Sequence, residues 1–178
     1  MYQGTNKTAL SSQKQIAEAF VRLLRRQPYS SISISAICKE AEVSRQTFYS
    51  LFEAKENIVL YILDKRHSFT PGQTCCHAEL SLEDLSHEYS IYIIERRDFL
   101  ELLVKNDIIY LMHECLYNAF MDCPQFLPEK NEVRRAFGAE FVSGGLSGIA
   151  RIYVENETTS AKELEDTIAQ LFNGTFFR

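Results

Sequence analysis

Two short helical segments with almost nothing between them are the feature that most restricts how this chain can fold. Ser33 and Ser44 are each followed by apolar residues at helical spacing, and only Glu42 and Val43 separate the two segments. Serine is favoured at the start of a helix because its hydroxyl accepts a hydrogen bond from a free backbone N–H. The pattern therefore predicts two capped helices that meet at a tight turn, a helix-turn-helix.

The remainder of the chain also has the pattern of helices. The 178 residues include only four prolines and seven glycines, and 46% of them are hydrophobic. Apolar positions recur every three or four residues rather than alternating, which favours helices over strands. We expect an all-α protein of about nine helices, in which an N-terminal three-helix domain containing the helix-turn-helix is joined through helix 4 to a C-terminal helical bundle. The clearest segments are 11–26, 53–67, 98–105, 108–121 and 132–155, with a last helix starting at Ser160.

Charge divides the chain in the same way. Residues 1–55 hold eight Lys or Arg against four Asp or Glu, whereas the remainder holds eleven against twenty. A basic first third favours contact with a polyanion, although a solvated charged surface would give a similar count. The first convincing linker is 68–78, which contains Thr70-Pro71-Gly72, and we expect the domain boundary within helix 4, giving domains 1–55 and 56–178.

Several classes of protein are disfavoured by what the sequence lacks. No uncharged apolar run approaches the ~18 residues of a membrane helix, and no secretory signal is evident, so we expect a cytoplasmic protein. No nucleophile–base pair, metal-ligand spacing or phosphate loop is recognisable, so we predict no enzyme activity, no catalytic residue, no metal and no cofactor. The five cysteines fit no disulfide framework. Cys75 and Cys76, beside His77, are either redox-active or metal-binding thiols or incidental residues of a loop.

A helix that begins at Ser44 separates two kinds of side chain. Phe48 and Phe52 lie on one face through their i, i+4 spacing and would anchor the helix. The other faces carry a cation, an amide and two hydroxyl groups, from Arg45, Gln46, Thr47 and Tyr49.

Those projecting groups suit the recognition of double-stranded DNA. An arginine can bond guanine O6 and N7, a glutamine can bond adenine N6 and N7, and hydroxyl groups can reach phosphates. Lys55, expected at the start of the next helix, would add an ammonium group beside free backbone N–H groups, which suits a phosphate. The alternative is that Arg45 and Gln46 are ordinary surface residues and that Tyr49 packs between helices.

The same segment resembles the tetracycline-repressor (TetR) family of bacterial regulators. The resemblance covers roughly residues 10–62, and it is carried by Ile34-Ser35-Ala36-Ile37, Ala41-Glu42-Val43-Ser44, Thr47-Phe48-Tyr49, Phe52, Lys55-Glu56 and Ile58. It implies a homodimeric transcription factor whose two recognition helices enter successive major grooves of a palindrome, and a C-terminal domain for dimerisation and ligand sensing.

The resemblance also assigns roles to individual residues. It implies that Arg45 and Gln46 read bases and that the phosphate contacts come from Ser44, Thr47, Tyr49 and Lys55. Two positions depart from the commonest family pattern. Gln46 stands where many members have Gly or Ala, which favours a base contact, and Leu51 replaces a polar or aromatic residue, which removes a phosphate contact.

On this basis we expect a repressor that binds a palindromic operator and is released by a small molecule. Both reading heads must lie about one helical turn, ~34 Å, apart to engage two half-sites. A ligand that prefers another spacing would lower the affinity for DNA. The alternatives are an activator or co-regulator of the same fold that acts through a protein partner, or a ligand-binding helical protein without DNA binding.

Three glycines close together inside one predicted helix distinguish the acidic remainder. Within segment 132–155 the stretch 141–148 contains Gly144, Gly145 and Gly148, and each costs ~0.5–1 kcal/mol relative to Ala in a helix. Close approach of a second helix would offset that cost. The segment also resembles the last two helices of short TetR-type regulators, where a Trp often stands in place of Tyr153, so we expect residues 132–173 to form a subunit interface rather than pack only within one chain. The expected contacts are Phe137, Gly144, Gly145, Gly148, Ile152, Leu164, Ile168 and Leu171.

Aromatic residues of the remainder could line an effector pocket. An aromatic interior with a few polar groups suits a small apolar or aromatic ligand. The same residues, at helical spacing, also fit an ordinary core, and His113 fits a histidine with a partner in the bundle better than a metal ligand. The candidates are Tyr89, Tyr92, Phe99, Leu103, Met112, His113, Cys115, Leu116, Tyr117, Phe120 and Phe141.

Overall fold

The computed structural model describes residues 1–64, 82–122, 129–156 and 158–177. Within these ranges the chain forms nine α-helices and two short 3₁₀ turns, and no residue lies in a strand. The helices are α1 (Lys7–Leu24), α2 (Ile34–Glu40), α3 (Arg45–Leu51), α4 (Glu56–Leu63), α5 (Leu82–Glu95), α6 (Arg97–Lys105), α7 (Tyr110–Asp122), α8 (Glu132–Glu155) and α9 (Ala161–Phe172). The prediction of an all-α fold with about nine helices is confirmed.

Helix starts follow the predicted capping residues closely. Ser33, Ser44 and Ser160 each precede a helix, and each side-chain oxygen accepts a hydrogen bond from a backbone N–H two or three residues into it. Asn6 and Asn131 cap α1 and α8 in the same way. Two starts for which no cap was predicted agree less well, since α1 begins four residues before the predicted Ser11 and α4 begins at Glu56 instead of residue 53. Capping chemistry therefore located helix starts better than hydrophobic periodicity did.

The N-terminal unit comprises residues Met1–Pro71. Helix α1 packs against α2, α3 and α4 around a buried core. Because α4 packs on α1, this compact unit extends past the domain boundary expected after residue 55 and includes α4. Its wholly buried side chains include Ile16, Phe20, Ile37, Phe48, Phe52 and Ile58.

The C-terminal unit comprises residues Gly72–Arg178. Helix α8 packs against α6 and α7, and α5 packs against α9. Leu164 and Ile168 of α9 are buried within this single chain. The expectation that these two residues contact a second subunit is therefore wrong, because their α9 face packs inward. The wholly buried residues of this unit include Ile93, Leu100, Leu103, Leu111 and Met112.

Some sequence predictions fall outside the described residues. They concern the linker 68–78 and the two cysteines within it, Cys75 and Cys76. Among the helices that the structure does describe, none is both long enough and apolar enough to cross a membrane.

Candidate nucleic-acid interface

The turn between α2 and α3 is built by one residue in the left-handed region. Glu42 has φ 56°, and it follows Ala41, which is buried at the elbow. The Val43 backbone N–H donates to the Cys38 carbonyl at 3.0 Å, which closes the turn. A left-handed residue reverses the chain within a few positions, so α3 can start immediately and cross α2.

Aromatic packing holds α3 in place from its inner side. Phe48 and Phe52 are completely buried, with ring centroids 6.1 Å apart, and Phe52 meets the ring of Tyr61 from α4 edge-on at 5.5 Å. Leu51 is buried beside them. This confirms the prediction that the rings face inward, and it leaves the opposite side of the short helix free.

The outer side of α3 presents the predicted reading residues. Arg45 and Gln46 are exposed, and Tyr49 is 44% exposed. The Arg45 Nη2 group donates to the Tyr49 hydroxyl at 3.5 Å, and this hydrogen bond raises the pKa of Arg45 above its ordinary value. Arg45 and Tyr49 therefore lie together on one surface, and Arg45 remains a cation there.

Ser44 and Thr47 share their hydroxyl groups. The Ser44 Oγ accepts the Thr47 backbone N–H at 2.9 Å and lies 2.8 Å from Thr47 Oγ1. One hydroxyl must donate to the other, so the pair retains one free O–H. The two residues can together offer one hydroxyl hydrogen to a phosphate, rather than one each.

Lys55 takes a different position from the one that the sequence suggested. Its Nζ donates to the carbonyl oxygens of Tyr29 at 3.0 Å and Ile32 at 3.3 Å, and it lies 3.9 Å from the centre of the Tyr29 ring. The Tyr29 hydroxyl donates in turn to Glu56 Oε1 at 2.6 Å. Two of the three ammonium N–H donors are thus engaged within the protein. Lys55 fastens the start of α4 to the turn after α1, which leaves at most one donor for a phosphate.

Part of the positive charge of the first third is neutralised within it. Glu40 of α2 accepts from Arg22 Nε at 2.8 Å and lies 3.7 Å from Arg26 Nη1, both in or just after α1. The hydrogen bond from Arg22 lowers the pKa of the Glu40 carboxyl. Glu40 therefore ties α2 to α1 and removes two arginines from the free cationic surface.

The far end of α3 has a support that was not predicted from the sequence. The Tyr2 backbone N–H donates to the Leu51 carbonyl at 2.8 Å, and the side chain of Gln13 donates to the Tyr2 carbonyl at 3.1 Å. Gln13 is completely buried in α1. The sequence feature that could have predicted this contact is a glutamine, Gln13, on the apolar face of an amphipathic helix. A buried side-chain amide generally has a hydrogen-bond partner.

The residues expected to line an effector pocket differ in exposure and fall into three groups. Tyr89, Tyr92, Phe99, Leu103, Met112 and Phe120 are buried in the C-terminal unit, whereas His113, Cys115, Leu116 and Tyr117 are half-buried. Phe141 is 82% exposed, so its assignment to an interior pocket is wrong. His113 lies 3.2 Å from Glu140 of α8, and Tyr89 is buried with no hydrogen-bond partner for its hydroxyl among the described residues.

A continuous apolar surface runs along the outside of α8. Phe137 is 71% exposed and Ile152 is 57% exposed, and Gly144 and Gly145 are also exposed. Apart from the adjacent Gly144 and Gly145, the apolar positions of this surface follow one another at spacings of three or four residues, so they lie on one side of the helix. We call this surface the α8 face, and it comprises Val133, Phe137, Phe141, Gly144, Gly145, Gly148 and Ile152.

The helix-turn-helix and its supporting helices match a known family. Residues 16–62 match the family model described as bacterial regulatory proteins of the tetR family. This segment of the chain is therefore similar to the DNA-binding part of TetR-type regulators. The matched segment runs from the middle of α1 into α4 and includes the turn and all of α3.

A curated relative is similar over part of the chain. The transcriptional activator of the dhaKLM operon, DhaS, from Lactococcus lactis is 38% identical over 58 residues, which are 33% of this chain and 31% of the relative. The aligned segment thus spans less than a third of that relative.

Solved TetR structures extend the similarity to the whole fold. The dihydroxyacetone kinase operon activator DhaS is 20% identical, with a TM-score of 0.55, covering 92% of this chain and 95% of that one. A TetR regulator from Streptococcus agalactiae is 17% identical, with a TM-score of 0.58, covering 93% and 95%. At these identities the structures show that the two units together have the TetR fold.

Proposed function

We propose that this protein is a homodimeric TetR-type transcription regulator that binds a palindromic operator through α3. The observation that carries the proposal is the division of α3 into a buried side, Phe48 and Phe52, and an exposed side that presents Arg45, Gln46 and Tyr49. An exposed arginine and glutamine on a helix of this motif can reach base edges in the major groove.

The proposed contacts follow from the donors left free on α3. Arg45 and Gln46 read bases, while Tyr49 and the shared hydroxyl of Ser44 and Thr47 bind phosphates. Lys55 contributes mainly by holding α4 against the turn at residues 29–32, because its ammonium group already donates to two carbonyls.

The direction of regulation has two candidates. Release of a bound repressor by a small molecule is the first, because the C-terminal unit contains an aromatic interior that suits a small apolar ligand. Activation is the second, and it is favoured by the similarity to DhaS, which is a transcriptional activator. The similarity to DhaS in sequence covers 33% of this chain.

Tyr89 is the residue that we propose as the polar contact for an effector. Its hydroxyl is buried without a partner among the described residues, and its ring stacks on that of Tyr92 with centroids 5.9 Å apart. Burial raises the pKa of the Tyr89 phenol well above its ordinary value, so it remains a neutral donor. A ligand with a hydrogen-bond acceptor and an apolar body would satisfy this hydroxyl.

The decisive experiment is the selection of binding sites from a random duplex pool, followed by affinity measurements over a range of salt concentrations. We expect an enriched inverted repeat and an affinity that falls steeply with salt, because phosphate contacts release counterions. Arg45→Ala should relax the base preference at one position of each half-site. Tyr49→Ala should weaken binding to all sequences and lower the salt slope.

Two results would contradict the proposal. One is the absence of any enriched sequence together with no binding at low salt. The other is an equal loss of affinity for all sequences from Arg45→Ala and Tyr49→Ala, since the two residues would then have the same role.

A further inference from the structure

Residues 1–6 fold back before α1 and contact the far end of α3. The Tyr2 backbone N–H donates to the Leu51 carbonyl, with 2.8 Å between the nitrogen and the oxygen. The Tyr2 hydroxyl accepts the Asn6 backbone N–H at 3.2 Å, and the Asn6 side chain caps α1. We call residues 1–6 the hook, because one part of the segment is attached to α3 and the other to α1.

Gly4 allows the hook to close on itself. A Cβ atom built at Gly4 would overlap the hydroxyl group and the ring of Tyr2. Any larger residue at this position would therefore displace the Tyr2 ring. Gly4 itself is exposed, so a substitution there can disturb the hook without opening a cavity in the core.

Gln13 holds the hook from inside α1. Its Nε2 donates to the Tyr2 carbonyl at 3.1 Å, and its side chain is completely buried. Its Oε1 has no hydrogen-bond partner among the described residues. Burying an unsatisfied acceptor costs about as much free energy as one hydrogen bond contributes, so this amide adds little net stability. What Gln13 provides, and an apolar residue of similar length would not, is a fixed position for Tyr2.

The helix that the hook contacts is too short to hold its own orientation. Helix α3 has seven residues, and isolated helices below ~12–15 residues are marginally stable in water. The last carbonyls of a helix also lack partners within it. Here Asn57 Nδ2 donates to the Phe52 carbonyl at 2.6 Å, and Tyr2 donates to the Leu51 carbonyl. Contacts from α4 and from the hook thus fix the end of α3.

We propose that the hook and Gln13 are positioning elements for DNA reading, which set the tilt of α3 and with it the positions of Arg45 and Gln46. This role rests on the proposed binding of an operator through α3, and it belongs to residues that need not contact DNA themselves.

The effect of such positioning falls on sequence discrimination. A bidentate hydrogen bond from Arg45 to guanine requires the guanidinium group at one place and in one plane. The attraction between a cation and a phosphate changes only slowly with distance. Displacement of the hook should therefore impair discrimination between sequences more than it impairs nonspecific affinity.

Two substitutions displace the hook from different sides. Gln13→Met removes the donor to the Tyr2 carbonyl with a side chain of similar length, and Gly4→Ala displaces the Tyr2 ring. Gln15→Met is the matched control, because Gln15 is exposed on the same helix. Each protein is titrated with the operator selected by the parent protein and with a scrambled duplex at several salt concentrations. Urea denaturation measures the stability of each protein.

We expect Gln13→Met and Gly4→Ala each to lower the ratio of operator affinity to scrambled-duplex affinity by about tenfold, the discrimination that one bidentate base contact supplies. The salt dependence should be unchanged, because the number of neutralised phosphates is the same. The urea midpoint of Gln13→Met should stay close to that of the parent, since the substitution removes a donor and an unsatisfied acceptor together. Gln15→Met should match the parent in every measurement.

The double variant tests whether both substitutions act through the hook. Once one substitution has displaced the hook, the other has nothing further to displace. The double variant should therefore discriminate as poorly as either single variant and no worse, whereas two unrelated structural effects would add.

The remaining outcomes separate this role from the proposed function. Parental discrimination by both single variants would overturn the positioning role and leave DNA binding by α3 intact. Losses that add in the double variant, or that appear equally in Gln15→Met, would overturn it as well. A parent protein that enriches no sequence would overturn both. If Gln13→Met did not fold, Gly4→Ala, at its exposed position, would decide alone.

Discussion

At the scale of single residues, Lys55 makes contacts that its position in the sequence did not suggest. A lysine at the start of a helix after a recognition helix suggests a phosphate contact. In the structure its ammonium group donates to the carbonyls of Tyr29 and Ile32 and lies over the Tyr29 ring. Sequence spacing could not reveal this, because the carbonyl groups belong to a turn more than twenty residues away.

We predict that Lys55→Met lowers the free energy of unfolding by about 1–3 kcal/mol, because two partly buried carbonyls lose a charged donor. Urea denaturation monitored by circular dichroism measures this loss. Lys39→Met, at an exposed position of α2, is the matched control and should leave stability unchanged. If Lys55→Met weakened DNA binding without affecting stability, Lys55 would be a phosphate contact after all.

For Tyr89 we predict that a substitution raises the free energy of unfolding, in contrast to Lys55→Met. Tyr89→Phe removes a buried hydroxyl that has no partner among the described residues, so the effector-free protein should become more stable by about 1 kcal/mol. Thermal unfolding checks the sign, and the response of DNA binding to the effector should weaken.

The control for Tyr89 is a tyrosine whose hydroxyl is engaged. Tyr29 is partly buried in the N-terminal unit, and its hydroxyl donates to Glu56 Oε1 at 2.6 Å. Tyr29→Phe should therefore destabilise the protein, since Glu56 loses a donor. A loss of stability in Tyr89→Phe as well would mean that the Tyr89 hydroxyl is satisfied in solution.

At the scale of helices, the start of α3 combines two roles in one side chain. Ser44 caps α3 by accepting the Thr47 backbone N–H, and its hydroxyl is also proposed to share one donor hydrogen with Thr47. Aspartate is an equally good cap but cannot donate a hydrogen bond. Substitution with alanine or aspartate can therefore separate capping from DNA binding.

We predict that Ser44→Ala costs about 0.5–2 kcal/mol of stability, whereas Ser44→Asp retains the stability of the parent protein. Both should weaken DNA binding, and Ser44→Asp more strongly, because it adds a negative charge close to the phosphates. Chemical denaturation and fluorescence anisotropy with a labelled operator measure the two effects. Undiminished binding by Ser44→Asp would exclude a phosphate near this residue.

The attachment of α2 to α1 should make stability depend on pH in the acid range. Arg22 lowers the folded-state pKa of Glu40 below its ordinary value of 4.5. A carboxyl with a depressed folded pKa contributes stability that is present above its unfolded pKa and is lost as pH falls through the folded one. Glu40 therefore stabilises the protein near neutral pH, and this contribution is lost as pH falls through the lowered folded-state pKa.

We accordingly predict that Glu40→Gln lowers the urea midpoint at pH 7 and that its difference from the parent protein shrinks as pH falls from about 5 to 3. Glu18→Gln provides the control, because Glu18 is exposed and its nearest cation, Lys14, lies 4.0 Å away. A difference that stays constant with pH would show that Glu40 contributes through packing rather than charge.

At the scale of the whole molecule, the fold could be predicted further than the site. The spacing of apolar residues and the serine caps were sufficient to predict about nine helices and the buried side of α3. Those features depend on neighbouring residues within one helix. The environment of Lys55, the support of α3 by Tyr2 and Gln13, and the inward position of Leu164 and Ile168 depend on contacts between distant segments. Local sequence patterns contain no information about such contacts, so they were not predicted.

The proposed dimer makes the spacing of DNA half-sites a testable quantity. Inserting five base pairs between the half-sites of a selected operator should reduce affinity to that of one half-site, because the second site moves to the opposite side of the duplex. Inserting about ten base pairs should return the second half-site to the same side of the duplex as the first and recover part of the affinity. Gel-shift titration with the three duplexes measures this, and affinity that is indifferent to the insertion would contradict simultaneous reading by two subunits.

The location of the α8 face, on a helix of the other compact unit from α3, has a genetic consequence. A subunit with a damaged reading helix retains an intact surface for association, so it would assemble with normal subunits into mixed pairs. Each mixed pair would engage only one half-site and would be nearly inactive. Alleles altered at Arg45 should therefore be dominant over the normal copy in a merodiploid cell, whereas alleles that destroy the α8 face should be recessive.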